Sequence, residues 1–550
     1  MDNRFLLWAS LGLIYLMMYQ AWQRDYGPQP VAQVAEATTA TTTAGAVEPG
    51  LPTLPGLPNA AVTETSVGPA ATVSELAPRV RVKTDVFELE IDTNGAQLVD
   101  VALRNYPVQK DRPDELVSIL SRAPAELDLI QSGLVRAGGA SAPNHEKRFA
   151  ADATQYELAD GAESLSVPLT WRDANGVTAT KTFTFYRGRY NIDVALDVRN
   201  DSGEAFTAAH YVQVQRKHVP VKRSMFNVDS YSFLGSVVYD GKAAEKYKHK
   251  ELVKTPLDIT APDGWIATIE HHFLSAVIPP AGQDAKYSSR VSDDGRELIS
   301  AVLPAVTIAA GSSQTMTHQL FVGPKVQEQL ADLAPGLVRT VDYGILSVLS
   351  QPLFFLLQKI HGFVQNWGVA IILLTILIKI VFYPLAEKSG RSMAKMRKLA
   401  PRMKTLQERY KDDRQALSRE MMNLYKTEGV NPMSSCLPML LQMPVFLALY
   451  WVLIESVELR QAPFALWITD LSSKDPFYIL PLIMAVAMFI QTKLNPPPAD
   501  PTTAKVMTVM PLMMSVFFAF FPAGLVLYWV VNTVLSVLQQ WRINRVVGAA

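Results

Sequence analysis

Residues 506–541 form an almost unbroken apolar run of about 36 residues. As one helix the run would measure about 54 Å, well beyond a hydrocarbon core of about 30 Å, so it must fold back on itself. Pro522 and Gly524 supply the tight turn and divide it into two spans, 506–521 and 525–541. Inside hydrocarbon every backbone N–H and C=O needs a partner from the chain itself, which leaves helices as the form such segments take. The same reading places spans at 363–383, 437–457 and 477–492, and one at the N-terminus, 5–22. The expected fold is a six-span α-helical membrane protein.

The N-terminal segment is about 18 residues, near the lower limit for spanning. The flank Gln23, Arg24, Asp25, Tyr26 lacks the small-residue pattern of a cleavage site, which favours an uncleaved signal anchor over 1–26 rather than a signal peptide. Residues 27–78 are rich in Pro, Ala, Thr, Val and Gly, too poor in large apolar groups to order themselves, and read as a flexible tether. From Arg79 the pattern alternates polar with apolar, around an Asn94-Gly95 turn and again around Arg187-Gly188. Repeated short strands with turn signals predict one large antiparallel β-sandwich domain over 79–340, ending in a linker helix. Residues 341–362 are apolar but interrupted by Gln351 and Pro352, which suits a helix lying along the membrane surface.

The 51 basic and 51 acidic residues cancel overall but are segregated along the chain. The segment 388–436 carries twelve Lys and Arg, whereas 455–476 carries only Arg460 and Lys474. The basic loops all fall on one side, so both termini and 388–436 are expected in the cytoplasm and the β domain outside it. Within 388–436, Met393, Met396, Ala400, Met403, Gln407 and Tyr410 recur at helical spacing, and Leu417, Met421 and Leu424 resume it after a charged break. That is a helical hairpin, with Pro401 kinking its first helix and Arg391, Lys395, Arg397, Lys398, Arg402 and Lys404 giving it a basic face. The face suits anionic lipid headgroups, ribosomal RNA or acidic protein, and topology alone would also place charge here.

Lys379 lies inside the span 363–383. A dozen large apolar residues at about −0.5 kcal/mol each outweigh about +3 kcal/mol for one central lysine, so the segment still inserts. The ammonium either snorkels to the headgroups, about 6 Å away, or serves a site. Thr375, one turn back on the same face, extends a polar stripe. Other intramembrane polar residues, Gln442, Gln491, Asn532 and Ser536, also lie toward the cytoplasmic ends, and the outer halves are nearly all apolar. Each could be interhelical glue; together they describe a groove open to the cytoplasm and closed outward. A channel would need polar lining throughout, and a transporter a midplane site between repeats. A secondary transporter and a lipid scramblase are the rival readings. The spans at 477–492 and 506–521 are short enough to thin the bilayer locally. Methionines cluster around them, as suits core packing or a surface that accepts many apolar helices.

Nothing in the chain points to an enzyme or a cofactor: P-loop, HExxH and GxSxG signatures are missing. His271 and His272, adjacent on an expected strand, would face opposite ways and make a poor metal pair. The single cysteine, Cys436, cannot form an intrachain disulfide and reads as a small buried apolar residue.

Four blocks, SMAKMRKLAP from Ser392, NPMSSCLPMLLQMPVFLALYWVL from Asn431, SVELRQAPFALWITDLSSKDPFYILP from Ser456 and FPAGLVLYWVVN from Phe521, closely resemble the YidC, Oxa and Albino-type family of membrane insertases. The anchor, tether and β domain resemble its Gram-negative form. The resemblance implies an inner-membrane, multi-pass protein whose core has five of the six helices and whose periplasmic domain is a β supersandwich. It implies insertion and folding of nascent membrane proteins, alone or beside SecYEG and SecDF, on chains delivered by ribosomes and the signal recognition particle, without sequence-specific nucleic-acid binding. Lys379 stands where the family's groove arginine falls; an ammonium keeps the charge but loses the planar fork. Client-contacting helices of the family correspond to 437–457, with Met443 and Pro444, and to 506–521, with Ser515. Thr375, Met443, Tyr528 and Trp529 match positions implicated in groove or client contact.

Overall fold

In a computed structural model the residues described are 78–137, 140–220, 232–410, 413–429, 437–494 and 501–549. The expected anchor, nearly all of the tether, and Cys436 lie outside them. The β domain is built from a ten-stranded and a nine-stranded sheet. Pairing is antiparallel apart from the short match of Arg79–Lys83 with Gln155–Glu157. The strand Val177–Tyr186 shows how sequence sets this arrangement: its residues alternate strictly between buried and half-buried, the period-two signature of one face on a core. It pairs with Asn191–Asn200 through a turn in which Gly188 takes φ +68°. At the earlier turn Gly95 has φ +76°, and a Cβ there would collide with the backbone of His145, so the Asn94-Gly95 signal reports a close approach as well as a bend.

One inward-facing position of Val177–Tyr186 is not apolar. Lys181, 1 % exposed, donates from Nζ to the carbonyls of Gly95, Ala96 and Ser132 at 3.0, 3.0 and 2.9 Å. The three acceptors belong to the facing layer, so this ammonium pins the two sheets together. Burial pushes its pKa down to about 7.

Helices follow: α1 (His249–Lys254), α2 (Gln327–Leu333), α3 (Ser347–Val364), α4 (Trp367–Val381), α5 (Tyr383–Arg409), α6 (Arg414–Thr427), α7 (Leu437–Glu455), α8 (Ile479–Leu494), α9 (Pro501–Phe518) and α10 (Ala523–Ala549). Asn366 caps α4, its side chain accepting from Val369 N at 3.0 Å, and Asp413 caps α6 in the same way. Pro522 separates α9 from α10. The first N–H groups of α10, on Ala523 and Gly524, donate to the carbonyls of Ser473 and Leu471 at 2.7 and 2.9 Å, so the 456–478 loop caps this helix.

By length and apolarity α10 alone qualifies as a full span over Ala523–Val546, with α4 and the first half of α5 a second, bent by 64°. Apolar stretches in α7, α8 and α9 are shorter: Gln442–Glu455, Ile479–Leu494 and Val509–Phe518. Sixteen residues of α8 reach about 24 Å, less than the hydrocarbon thickness. The sequence expectation of six full spans is thus met by one or two such helices among the described residues. Large apolar side chains nevertheless point outward from α8 (Leu482, Val486, Phe489) and from α9 (Leu512, Met513, Val516), a surface that water does not tolerate and lipid does.

The β domain meets the helices at a buried polar joint. Lys325 and Glu455 pair at 3.3 Å with side chains 2 % and 6 % exposed, and Ser232 Oγ donates to Glu455 at 2.8 Å. Arg460 donates to the Pro107 carbonyl at 2.8 Å. His271 and His272 are not on a strand: His271 has φ +46° in a turn. Their rings stack at 3.7 Å and both Nε2 atoms lie within hydrogen-bond reach of the Ile454 carbonyl. The alternation argument fails there because the chain reverses between them. Burial also raises the Glu458 carboxyl to about 7.

Candidate functional site: a polar seam between apolar helices

Helix α4 buries Ile371, Leu374, Thr375 and Ile378, a stripe at spacings of three and four that packs inward. Lys379 follows on the next position and is half-buried. Its Nζ donates to Ser536 Oγ on α10 at 2.7 Å, and Ser536 Oγ–H donates to the Asn532 carbonyl at 2.7 Å. Asn532 is 9 % exposed and its side-chain oxygen has no partner. Lys379, Ser536 and Asn532 therefore form one polar chain across the α4–α10 contact, with acceptor capacity left over. Among the described residues no carboxylate lies within ion-pair distance of Lys379, so the charge is bonded but not neutralised.

Thr375 is placed differently. Its hydroxyl donates to its own helix at Ile371 O, 2.7 Å away, and the residue is 1 % exposed. It packs within the bundle with its donor spent on its own backbone. Gln442 on α7 donates from Nε2 to the buried Tyr528 hydroxyl on α10, a second polar tie one to two turns from the first. Gln491 on α8 is half-buried, with no side-chain contact to the seam of Lys379, Ser536 and Asn532 among the described residues. Ser515 is 7 % exposed and donates to the Pro481 carbonyl at 2.5 Å, joining α9 to α8. Trp529 lies edge-on to Phe446 at 4.7 Å, while Met443 and Pro444 are exposed on α7. Helix α10 is thus the hub: it holds Lys379 through Ser536 and Gln442 through Tyr528, whereas Thr375 and Ser515 act as packing.

Helices α5 and α6 are the two arms of the expected hairpin. Arg402 bonds Glu428 across it at 2.6 Å, and Arg391 bonds Glu387 one turn back at 2.7 Å. Lys395, Lys398 and Lys404 are exposed on α5; the side chain of Arg397 lies outside the described residues. Sequence reading missed the joint residues Lys325, Glu455 and Glu458 and the sheet-pinning Lys181. Only Lys181 left a signal, a charge in an otherwise apolar register.

Apolar outer faces, a half-buried cation between helices with no carboxylate partner among the described residues, and a β sandwich fastened to one end of the bundle define a multi-helix membrane protein with a large extramembrane domain. The family model described as "YidC periplasmic domain" matches residues 79–356, and that described as "60Kd inner membrane protein" matches 359–549. The membrane protein insertase YidC of Methylococcus capsulatus is 46 % identical over 547 residues, covering 99 % of this chain and 98 % of that one. Its counterpart from Nitrosococcus oceani is 44 % identical over 547 residues, covering 99 % of each chain. A crystal structure of an active YidC insertase with its first transmembrane domain resolved aligns with 84 % of this chain and 93 % of that one, at 19 % identity and a TM-score of 0.39. The chain belongs to the YidC family of membrane protein insertases, inner-membrane proteins with a periplasmic domain.

Proposed function

We propose that this protein inserts and folds nascent inner-membrane proteins through a groove that opens to the cytoplasm and the inner leaflet, with Lys379 as its cationic centre. The observation that carries this reading is the Lys379 ammonium held by Ser536, at 2.7 Å, with no carboxylate among the described residues within ion-pair distance. A half-buried cation with no carboxylate partner among the described residues attracts a short acidic stretch of a client, and the client's apolar helix then leaves past the exposed apolar faces of α8 and α9 into lipid. The driving force is burial of that helix, about 25 cal/mol per Å² of apolar surface. The short helices α8 and α9 favour local bilayer thinning, which shortens the path for the polar segment.

In this reading the chain has six membrane helices with both termini in the cytoplasm, the β domain is periplasmic, and the basic α5–α6 hairpin faces anionic lipid or the ribosome. Cooperation with SecYEG, SecDF and the signal recognition particle belongs to the same proposal and rests on the family. The test is reconstitution of the pure protein in liposomes with a single-span client bearing an acidic tail. Protease-protected client is the expected product. Solute flux or lipid flipping without client insertion would instead favour a transporter or a scramblase.

A further inference from the structure

The β domain holds a second cluster that plays no part in the groove. His218 lies just past the end of the strand Phe206–Lys217, His249 opens α1, and Glu297 sits on the strand Arg296–Ile308. The Glu297 side chain is 4 % exposed, and its Oε1 lies 2.7 Å from His249 Nδ1 and 3.9 Å from His218 Nδ1. All three ligand-type atoms fall within 4.8 Å of one another. The two imidazoles stack with ring centres 4.2 Å apart and planes 6° from parallel, so their Nδ1 edges approach the carboxylate together.

The chain next to the cluster is basic, with Arg216, Lys217, Lys248, Lys250 and Arg296 beside its members, so what favours an ion is the buried Glu297 carboxylate itself. Glu297 has no Lys or Arg within ion-pair distance among the described residues; its only charged-type partners are the two histidines. Arg216, paired in register with Glu297 across the strands, turns its guanidinium to Glu270 at 3.0 Å and Asp128 at 3.9 Å. Asp128 is itself 4 % exposed, with Oδ1 left without a partner. Glu270 and Asp128 thus share the one guanidinium and Glu297 has none, and a buried carboxylate is costly unless paired or coordinated.

We propose that His218, His249 and Glu297 bind one divalent transition-metal ion of the Zn²⁺ class, with water in the fourth position. Two imidazoles and a carboxylate are a ligand set suited to zinc, with bonds of about 2.0–2.2 Å that place tetrahedral ligand atoms about 3.3 Å apart. Ligand atoms that now lie 2.7 Å apart at the shortest and within 4.8 Å of one another bracket that value, and because the two rings are nearly parallel the exposed His218 imidazole must also turn to aim its lone pair at the ion. The ion takes the position of the proton now shared between His249 and Glu297, and the exposed ring of His218, 39 % open to solvent, is the entrance. Binding would tie α1 and the end of Phe206–Lys217 to the sheet. Arg216, through Glu270, connects that corner with the turn of His271 and His272 that docks on Ile454.

The experiment uses full-length protein in detergent, its affinity tag removed and its metals stripped by chelator, titrated with Co²⁺ and then Zn²⁺. One equivalent of Co²⁺ is expected, with the intense visible absorption of a four-coordinate site, displaced by stoichiometric Zn²⁺. His218→Asn, at an exposed ring where folding is undisturbed, and the near-isosteric Glu297→Gln should each abolish the band, while His361→Asn, at a histidine on α3, should keep it. Absence of uptake, the weak pale spectrum of six-coordinate surface Co²⁺, or a band that survives in His218→Asn would each overturn the proposal.

Discussion

Lys379→Met separates a functional charge from a structural one because the two readings give opposite signs for stability. A lysine held near mid-helix in the membrane costs about 3 kcal/mol. Its bond to Ser536 at 2.7 Å, a hydrogen bond from a charged donor, returns about 1.5–3 kcal/mol. Methionine removes both terms and fills similar volume, and it orphans no donor, since the Ser536 hydroxyl already donates to the Asn532 carbonyl at 2.7 Å. The variant should therefore be as stable as the parent or up to about 1.5 kcal/mol more stable. A client carboxylate drawn to about 4 Å would gain about 4 kcal/mol at an effective dielectric of 20. Desolvation and groove water reduce this to about 1–2 kcal/mol, a factor of about 5 to 30. Insertion of acidic-tailed clients into proteoliposomes, read by protease protection, should fall by that factor, while neutral-tailed clients insert normally and Lys379→Arg retains activity. Wild-type insertion of acidic tails by the Met variant would refute the reasoning. So would equal losses on neutral tails, which would mark the lysine as a packing element.

Other consequences are equally specific. Lys181→Met leaves three buried carbonyls without their shared donor and should cost about 2–4 kcal/mol in denaturant titrations that follow strand content. Because burial lowers Lys181 from 10.5 to about 7, the unfolded chain binds more protons between those values, so β-domain stability should rise as pH goes from about 7 toward 10 and show no further dependence on this group below about 7. That slope should vanish in the variant. Removing one member of the buried Lys325–Glu455 pair, as Lys325→Met or Glu455→Gln, should cost about 3–5 kcal/mol in thermal melts, and the double variant should lose less than either single one. At Gly368 a Cβ would run into the Phe464 ring, so Gly368→Ala should cost about 1–3 kcal/mol, and pairing it with Phe464→Leu should recover most of the loss.

The helical and β parts were legible because each follows a local rule. Period-two alternation in Val177–Tyr186 and the turn residues Gly95 and Gly188 announced strands; the charged break at 410–413 announced the α5–α6 hairpin; Pro522 announced the split between α9 and α10. Lys379, Ser536, Asn532, Gln442 and Gln491 were readable as polar residues toward the cytoplasmic ends, since depth is counted along each helix. Which of them touch was not readable. Thr375 shares that stripe and Ser515 is central in its span, yet they spend their hydroxyls on the Ile371 and Pro481 carbonyls, because helix rotation is set by packing against neighbours and not by the helix's own sequence.

By itself, then, the sequence determined the division into an apolar helical part and an alternating β part, the sign of the charge within α4, and the family resemblance, all of which depend on composition and short-range period. Only the tertiary structure decided that α10 is the hub of the polar seam, that Lys181 spans two sheets, that His271 and His272 meet at one carbonyl, and that His218, His249 and Glu297 converge. Each of these joins residues tens to hundreds of positions apart, or turns on one backbone reversal. Such contacts are fixed by how whole layers and helices pack, and a one-dimensional pattern carries no term for that.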